Sequence, residues 1–373
     1  MIFFLLWFLS GQLSGQSALK TGTVATFDQL SAQAAAARDS NDVERAIALY
    51  RQGVTRRPKW AEGWYFIATL EYDRDHYKEA RDAFRKFLPL DPGRGAGWAL
   101  LGLCEFQTTE YELALQHIAR GLRLGAGSSE ELNKVARYHE ALLLTHSGRF
   151  EEAAQQLMWF ARSGTEEPQI VRLTGLASLR RPIFPGEVAP EDSELVTAAG
   201  RAVLDAMARR AAQAADGMKH LAGAYPDTPN VHYIYGTYLM EADPEAGLRE
   251  LKRELEISPG HVPALTTIAI QLLKEDAAGA LPYARQAVEL GPGVFVTHNV
   301  YGRALMELGR LKAGIAELEI AEKLAPDSVQ TRITLASAYA KDGRKEDAAR
   351  ERAAFLKLKK AESKGAASSG QIE

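Results

Sequence analysis

Residues 58–102 read PKWAEGWYFIATLEYDRDHYKEARDAFRKFLPLDPGRGAGWALLG. Two prolines, Pro58 and Pro92, stand 34 residues apart. Between them come Trp64, Ile67 and Ala68, then Ala80 and Phe84. After Pro92 the pattern restarts with Trp98, Leu101 and Gly102. A fixed period of this length marks stacked repeats, in which each unit buries its apolar face only against its neighbours.

The beat returns downstream, where Pro226, Pro259, Pro292 and Pro326 are separated by 33, 33 and 34 residues. Twelve residues before each of these prolines, and before Pro58 and Pro92, stands a small residue: Ala46, Ala80, Ala214, Gly247, Ala280 and Gly314. Eight before, the residue is usually large and apolar: Tyr50, Phe84, Met218, Leu251 and Leu318, with Ala284 the exception. Past the proline a large residue precedes a small one, as in Tyr235-Gly236, Ile268-Ala269, Tyr301-Gly302 and Leu335-Ala336. Small residues at two points let two helix backbones approach, and the large ones fill the space beside them. Gly148, Gly309 and Gly343 fall where each pair must turn, and glycine accepts the left-handed conformation that ends a helix. Proline closes each unit because it cannot extend the hydrogen-bond ladder.

These residues together resemble the tetratricopeptide-repeat (TPR) pattern W-x2-L-G-x2-Y, A-x3-F, P. The resemblance implies an all-α fold, a right-handed α-solenoid of antiparallel helix pairs A and B, with about nine repeats. The pairs fall near 27–60, 61–94, 95–128, 134–167, 195–228, 229–261, 262–294, 295–328 and 329–360. The third unit is closed by Gly125 and Gly127 rather than by proline. The organisation expected is an N-terminal stack of four repeats over 27–167 and a C-terminal stack of five over 195–360. Between them, 168–194 carries an extra helix, Gln169 to Arg180, and a loop with Pro182, Pro185 and Pro190. That segment reads as a spacer joining two stacks, or else as a loop whose Ile183 and Phe184 grip a partner. Residues 361–373 read as a small, polar, disordered tail.

Residues 1–17 resemble a secretory signal peptide, with an apolar run Ile2 to Leu9 and small and polar residues after it, although no Lys or Arg precedes the run. A short uncleaved anchor is the alternative, and 18–26 reads as a linker. The location expected is exported, periplasmic or membrane-anchored, and otherwise cytoplasmic.

Composition narrows function. The net charge is −3 with 25% charged residues, and no basic stripe of the kind nucleic-acid binders carry dominates the sequence. The single cysteine, Cys104, sits in an apolar stretch and reads as a small buried hydrophobe. Eight histidines are scattered, with no H-E-x-x-H or C-x-x-C, no P-loop and no nucleophile elbow. We therefore expect a non-enzyme, with no catalytic residue, no cofactor and no metal.

The resemblance places helix A faces along a concave groove. It assigns to that groove Tyr65, Thr69 and Tyr72 in the second unit and Ala99, Leu103 and Phe106 in the third. The fourth unit gives Tyr138, Leu142 and Thr145, the sixth Tyr233, Thr237 and Met240, and the eighth Asn299, Arg303 and Met306. One TPR class grips a partner's C-terminal carboxylate with lysine and asparagine one turn apart. The matching pairs here are Tyr65/Thr69, Ala99/Leu103 and Tyr138/Leu142, so that clamp is missing from the N-terminal half. Tyrosines give large contact area with a polar tip at little entropic cost, which suits peptide binding. The expectation is a scaffold that binds a peptide or helical segment of another protein, within an envelope or secretory assembly. The alternatives are an RNA-binding helical-repeat protein and a non-catalytic accessory subunit of an envelope enzyme.

Overall fold

The computed structural model describes residues 26–126 and 129–369, with side chains to Lys360. The expected signal segment and nearly all of the linker after it lie outside the described residues. Among those described, every regular element is a helix. The order begins α1 (Phe27–Asp39), α2 (Val43–Arg56), α3 (Ala61–Tyr72), α4 (Tyr77–Phe87), α5 (Gly95–Gln107), α6 (Tyr111–Arg123), α7 (Glu130–His146), α8 (Phe150–Arg162) and α9 (Pro168–Ser178). It continues with α10 (Ser193–Met207), α11 (Ala211–Ala224), α12 (Val231–Leu239), α13 (Pro244–Ile257) and α14 (Val262–Leu272). The last five are α15 (Ala277–Leu290), α16 (Phe295–Glu307), α17 (Leu311–Leu324), α18 (Val329–Lys341) and α19 (Lys345–Ser369). Two compact units divide the chain between Ala136 and Arg137, inside α7. No described helix is long and apolar enough to cross a membrane.

The N-terminal unit holds three helix pairs, α1/α2, α3/α4 and α5/α6, and each pair packs on the next. Its core is built from the residues the repeat spaces: Tyr50, Phe84, Phe87, Leu88 and Leu101, all at most 2% exposed, around Ala46, Ala68 and Ala80. Cys104 is part of this core, and burial, with the Glu105 charge second, pushes its thiol up to about 12, which favours the thiol form. Side chains also tie repeat to repeat. Arg51 reaches the buried Glu71 at 2.7 Å, and Arg85 reaches the buried Glu105 at 2.8 Å, twenty residues on in each case.

The turn between paired helices uses one left-handed residue. Gly148, Gly309 and Gly343 hold φ of 75°, 76° and 78°, as the sequence required. Asn41, Asp75 and Thr109 do the same job at φ near 60° in the first three pairs. The small pairs also have their reason. A Cβ on Gly302 would lie 2.8 Å from the Gly314 carbonyl, and one on Gly314 would lie 2.6 Å from the Gly302 carbonyl. α16 and α17 therefore cross backbone on backbone.

A second regularity concerns the residue six places after the closing proline. Trp64 and Trp98 donate Nε1–H to the carbonyls of Pro58 and Pro92, both at 2.9 Å. His232 and His298 place Nε2 at 2.8 and 3.0 Å from the carbonyls of Pro226 and Pro292. Arg332 donates Nε–H to Pro326 at 3.0 Å. At these five units the position supplies an N–H donor, not always an indole; after Pro259 it is Leu265, and Gln286 of α15 donates to the Pro259 carbonyl instead, at 3.2 Å.

The extra helix and loop of residues 168–194 pack into the C-terminal unit. α9 buries Ile170, Val171, Leu173, Leu176 and Ala177 and packs closely on α10. A Cβ on Gly175 would collide with the Val196 carbonyl, and one on Gly200 with the Val171 carbonyl. The proline-rich loop is pinned to this body. Ile183 packs on the cluster around Leu176, Phe184 stacks flat on His146 with ring centroids 4.0 Å apart, and Arg181 pairs with Asp192 at 2.6 Å. α19 continues to Ser369, into the segment expected to be a disordered tail, and residues 370–373 lie outside the described residues.

Candidate functional site

In the C-terminal unit, α8, α9, α10, α11 and α12 surround an open cleft of about 310 Å³. Val203, Ala206 and Met207 of α10 form one wall, and Tyr233, Thr237 and Tyr238 of α12 face it. Met218 of α11 closes the floor, while Phe150 and Glu151 of α8 and Arg180 stand at the rim.

Each wall residue is fixed by its own helix. α12 starts at Asn230, which has φ of 72°. The first backbone amides are satisfied from the neighbouring helix: Glu254 of α13 accepts from the amides of Asn230 at 2.8 Å and Tyr233 at 3.2 Å. Glu254 is fully buried, and burial raises its pKa despite those bonds. The Tyr233 ring leans on His261 with centroids 4.7 Å apart, and burial raises the phenol above its ordinary value. Thr237 turns its hydroxyl back onto the Tyr233 carbonyl at 2.9 Å. Tyr238 donates its hydroxyl to the Ala211 carbonyl at 3.1 Å.

His261 supports the cleft from behind. Its Nδ1 accepts from the Ala264 amide at 3.0 Å, capping α14, so the proton sits on Nε2 and donates to Asn230 Oδ1 at 2.8 Å. Burial, with the Arg180 charge second, depresses it to about 4. Arg180 ends α9 in the left-handed conformation, φ 53°. That turn sends its guanidinium over the Phe150 ring at 4.8 Å and onto Glu151 at 2.6 Å. The cleft is thus a mostly apolar slot with two tyrosines, two methionines and one ion pair at its lip. Among the described residues no three His, Cys, Asp or Glu side chains gather as a metal site.

Of the fifteen groove residues expected from the sequence, Tyr233 and Thr237 line this cleft. Arg303 and Met306 line a smaller one, about 240 Å³, with Ile333 and Ser337. Ala99, Leu103, Leu142, Thr145 and Asn299 are corrected, being at most 5% exposed, and Asn299 spends its amide on Thr331 at 3.2 Å. The remaining six, Met240 among them, are half-buried. Tyr65 packs among Phe66, Phe84 and Phe87, Tyr72 against Tyr77, Phe106 against Tyr111 and Tyr138 against His139. Thr69 bonds the Tyr65 carbonyl at 3.2 Å. Arg180, Met207 and Met218 lie outside the expected set; the left-handed turn that aims Arg180 has no glycine to announce it.

Helix pairs closed by turn and proline, stacked pair on pair, with an apolar slot among them, define a helical-repeat scaffold. A family model described as the tetratricopeptide repeat matches residues 31–95, 67–129 and 301–360. The matched segments are tetratricopeptide repeats. Between the matched segments, the repeat is carried by the helix pairs and by their proline spacing. No curated protein matches the chain. Among solved structures, MamA from Desulfovibrio magneticus RS-1 (residue 41 to the end) is 22% identical, the match covering 41% of this chain and 89% of that one at a TM-score of 0.38. MamA AMB-1 gives 23% identity over 43% and 96%, at 0.38. A further MamA protein gives 14% identity over 46% and 94%, at 0.40.

Proposed function

We propose that the chain is a non-catalytic protein-interaction scaffold whose C-terminal unit seats a segment of another protein in the α8–α12 cleft. The observation that carries this is the slot itself, where apolar and aromatic side chains from five helices converge and stay open. Such concave, mostly apolar sites with a few polar groups are where ligands are held. Met207 and Met218 are unbranched and adaptable, which suits an apolar side chain of varied shape. The Tyr233 and Tyr238 rings add area at little entropic cost. The Arg180–Glu151 pair at the lip can exchange partners with a polar group beside that anchor.

The test is a peptide-display selection on the intact chain, followed by affinity measurement on Thr237→Arg. Selected peptides are expected to share an apolar anchor and to lose on the order of tenfold or more in affinity, about 1.4 kcal/mol, in the variant. Circular dichroism checks that the variant is folded, since Thr237 is half-buried at the cleft rather than in the core. Selection of nothing, or peptides indifferent to Thr237→Arg, would contradict the reading. Action within an exported or envelope assembly is part of the proposal and rests on residues 1–17; sequencing the mature N-terminus tests it.

A further inference from the structure

α3 covers the pair α1/α2, α5 covers α3/α4, α14 covers α12/α13 and α16 covers α14/α15, each on one side. α18 covers α16/α17 in this way. Asn299 of α16 lies buried beneath it, and so do Leu318 and Ala321 of α17. Thirty-four residues on, the same three places are Ile333, Arg352 and Phe355. Among the described residues no helix follows α19 to cover α18/α19. Ile333 is 44% exposed and its neighbour Leu356 is 63% exposed. α18 and α19 enclose a groove of about 620 Å³ lined by Ile333, Ala336, Ala340, Phe355 and Leu356. Ala336 and Ala340 lie where Gly302 and Met306 lie one repeat earlier.

The edges of the groove are basic. Lys341 and Arg352 line it, and Lys357, Lys359 and Lys360 follow on α19. From Arg352 to Lys360 there is no acidic residue. The acids just before are already engaged. Asp347 pairs with Arg344 and Arg350, and the buried Glu351 pairs with Arg332 and Arg350. A capping helix that only had to meet water would carry polar side chains where Phe355 and Leu356 stand.

We propose that the α18/α19 groove docks one amphipathic helix of a partner protein, with an apolar stripe flanked by acidic side chains, as the helix that would open a further repeat. The site is separate from the α8–α12 cleft and does not depend on it. Helix-in-groove docking of this kind takes its affinity from the stripe and its choice of partner from the flanking charge.

The experiment uses the intact chain and two synthetic helical peptides with the same leucine–alanine stripe, one flanked by glutamates and one by lysines. Fluorescence anisotropy is expected to show the glutamate peptide binding more tightly by on the order of tenfold, with affinity falling as salt rises. Leu356→Glu, at an exposed position that does not bear on folding, is expected to abolish that preference. Equal binding of the two peptides, or binding unchanged in Leu356→Glu, would overturn the proposal. A mass that doubles with concentration in wild type but not in Leu356→Glu would assign the groove to a second copy instead. Stronger capture by phosphatidylserine vesicles or by single-stranded RNA than by the glutamate peptide would assign it to a membrane or a nucleic acid.

Discussion

His261 shows how a single side chain can carry structure that residue type alone does not announce. In the sequence it is one of eight scattered histidines. In the fold it caps α14 through Nδ1 and holds Asn230 through Nε2. Both bonds need the neutral ring. Its pKa, about 4, lies below the ordinary 6.5, so the unfolded chain takes up the proton first as pH falls. His261 therefore contributes stability in full above about pH 6.5, and loses it as pH drops towards 4. The loss is of order 2 kcal/mol, discounted for the part of the ring still open to solvent. Glu254, whose pKa is raised, acts in the opposite sense close to its own range. Urea unfolding of wild type and of His261→Asn, which keeps a capping oxygen without the proton, separates them. We expect a flatter stability profile between pH 6.5 and 4 in the variant. Parallel profiles would remove His261 from the account. The signal available in the sequence was local: Pro263 marks a helix start, and His261 stands where a cap must.

At the scale of elements, the repeats with full punctuation were legible and the interrupted one was not. Proline, paired small residues and a turn glycine each stand for one physical demand, so their period gave the helix pairs directly. α9 and α10 meet the same demand with Gly175 and Gly200, but the proline-rich loop over 179–192 separates the helices and breaks the spacing. The loop itself concealed its anchors, because the Phe184–His146 stack joins residues far apart in the chain. Gly200→Leu puts a side chain where the Val171 carbonyl lies. It should destabilise the C-terminal unit by about 1–3 kcal/mol, as overpacking does, and should disturb α10, which forms a wall of the cleft. Denaturant unfolding measures the first effect; a melting curve equal to wild type would mean that α9 and α10 do not pack as described. The groove was only partly legible for a related reason. Helix A positions alternate between facing the neighbouring repeat and facing outward within one turn, so Leu103, Leu142 and Asn299 fell on the packed side.

For the molecule as a whole, stability is a sum of neighbour terms, pair upon pair, and binding is left to the places where that sum is incomplete. The α8–α12 cleft is such a place inside the stack, and the α18/α19 groove is another at its end. The family implied binding of another protein, while the position of the slot came only from packing around the interrupted repeat. Hydrogen–deuterium exchange on the intact chain, with and without a display-selected peptide, tests this most directly. The account predicts slowed exchange in α10 and α12 around Met207 and Thr237, absent in Thr237→Arg. Protection confined to α3 and α5, or protection that persists in the variant, would contradict it.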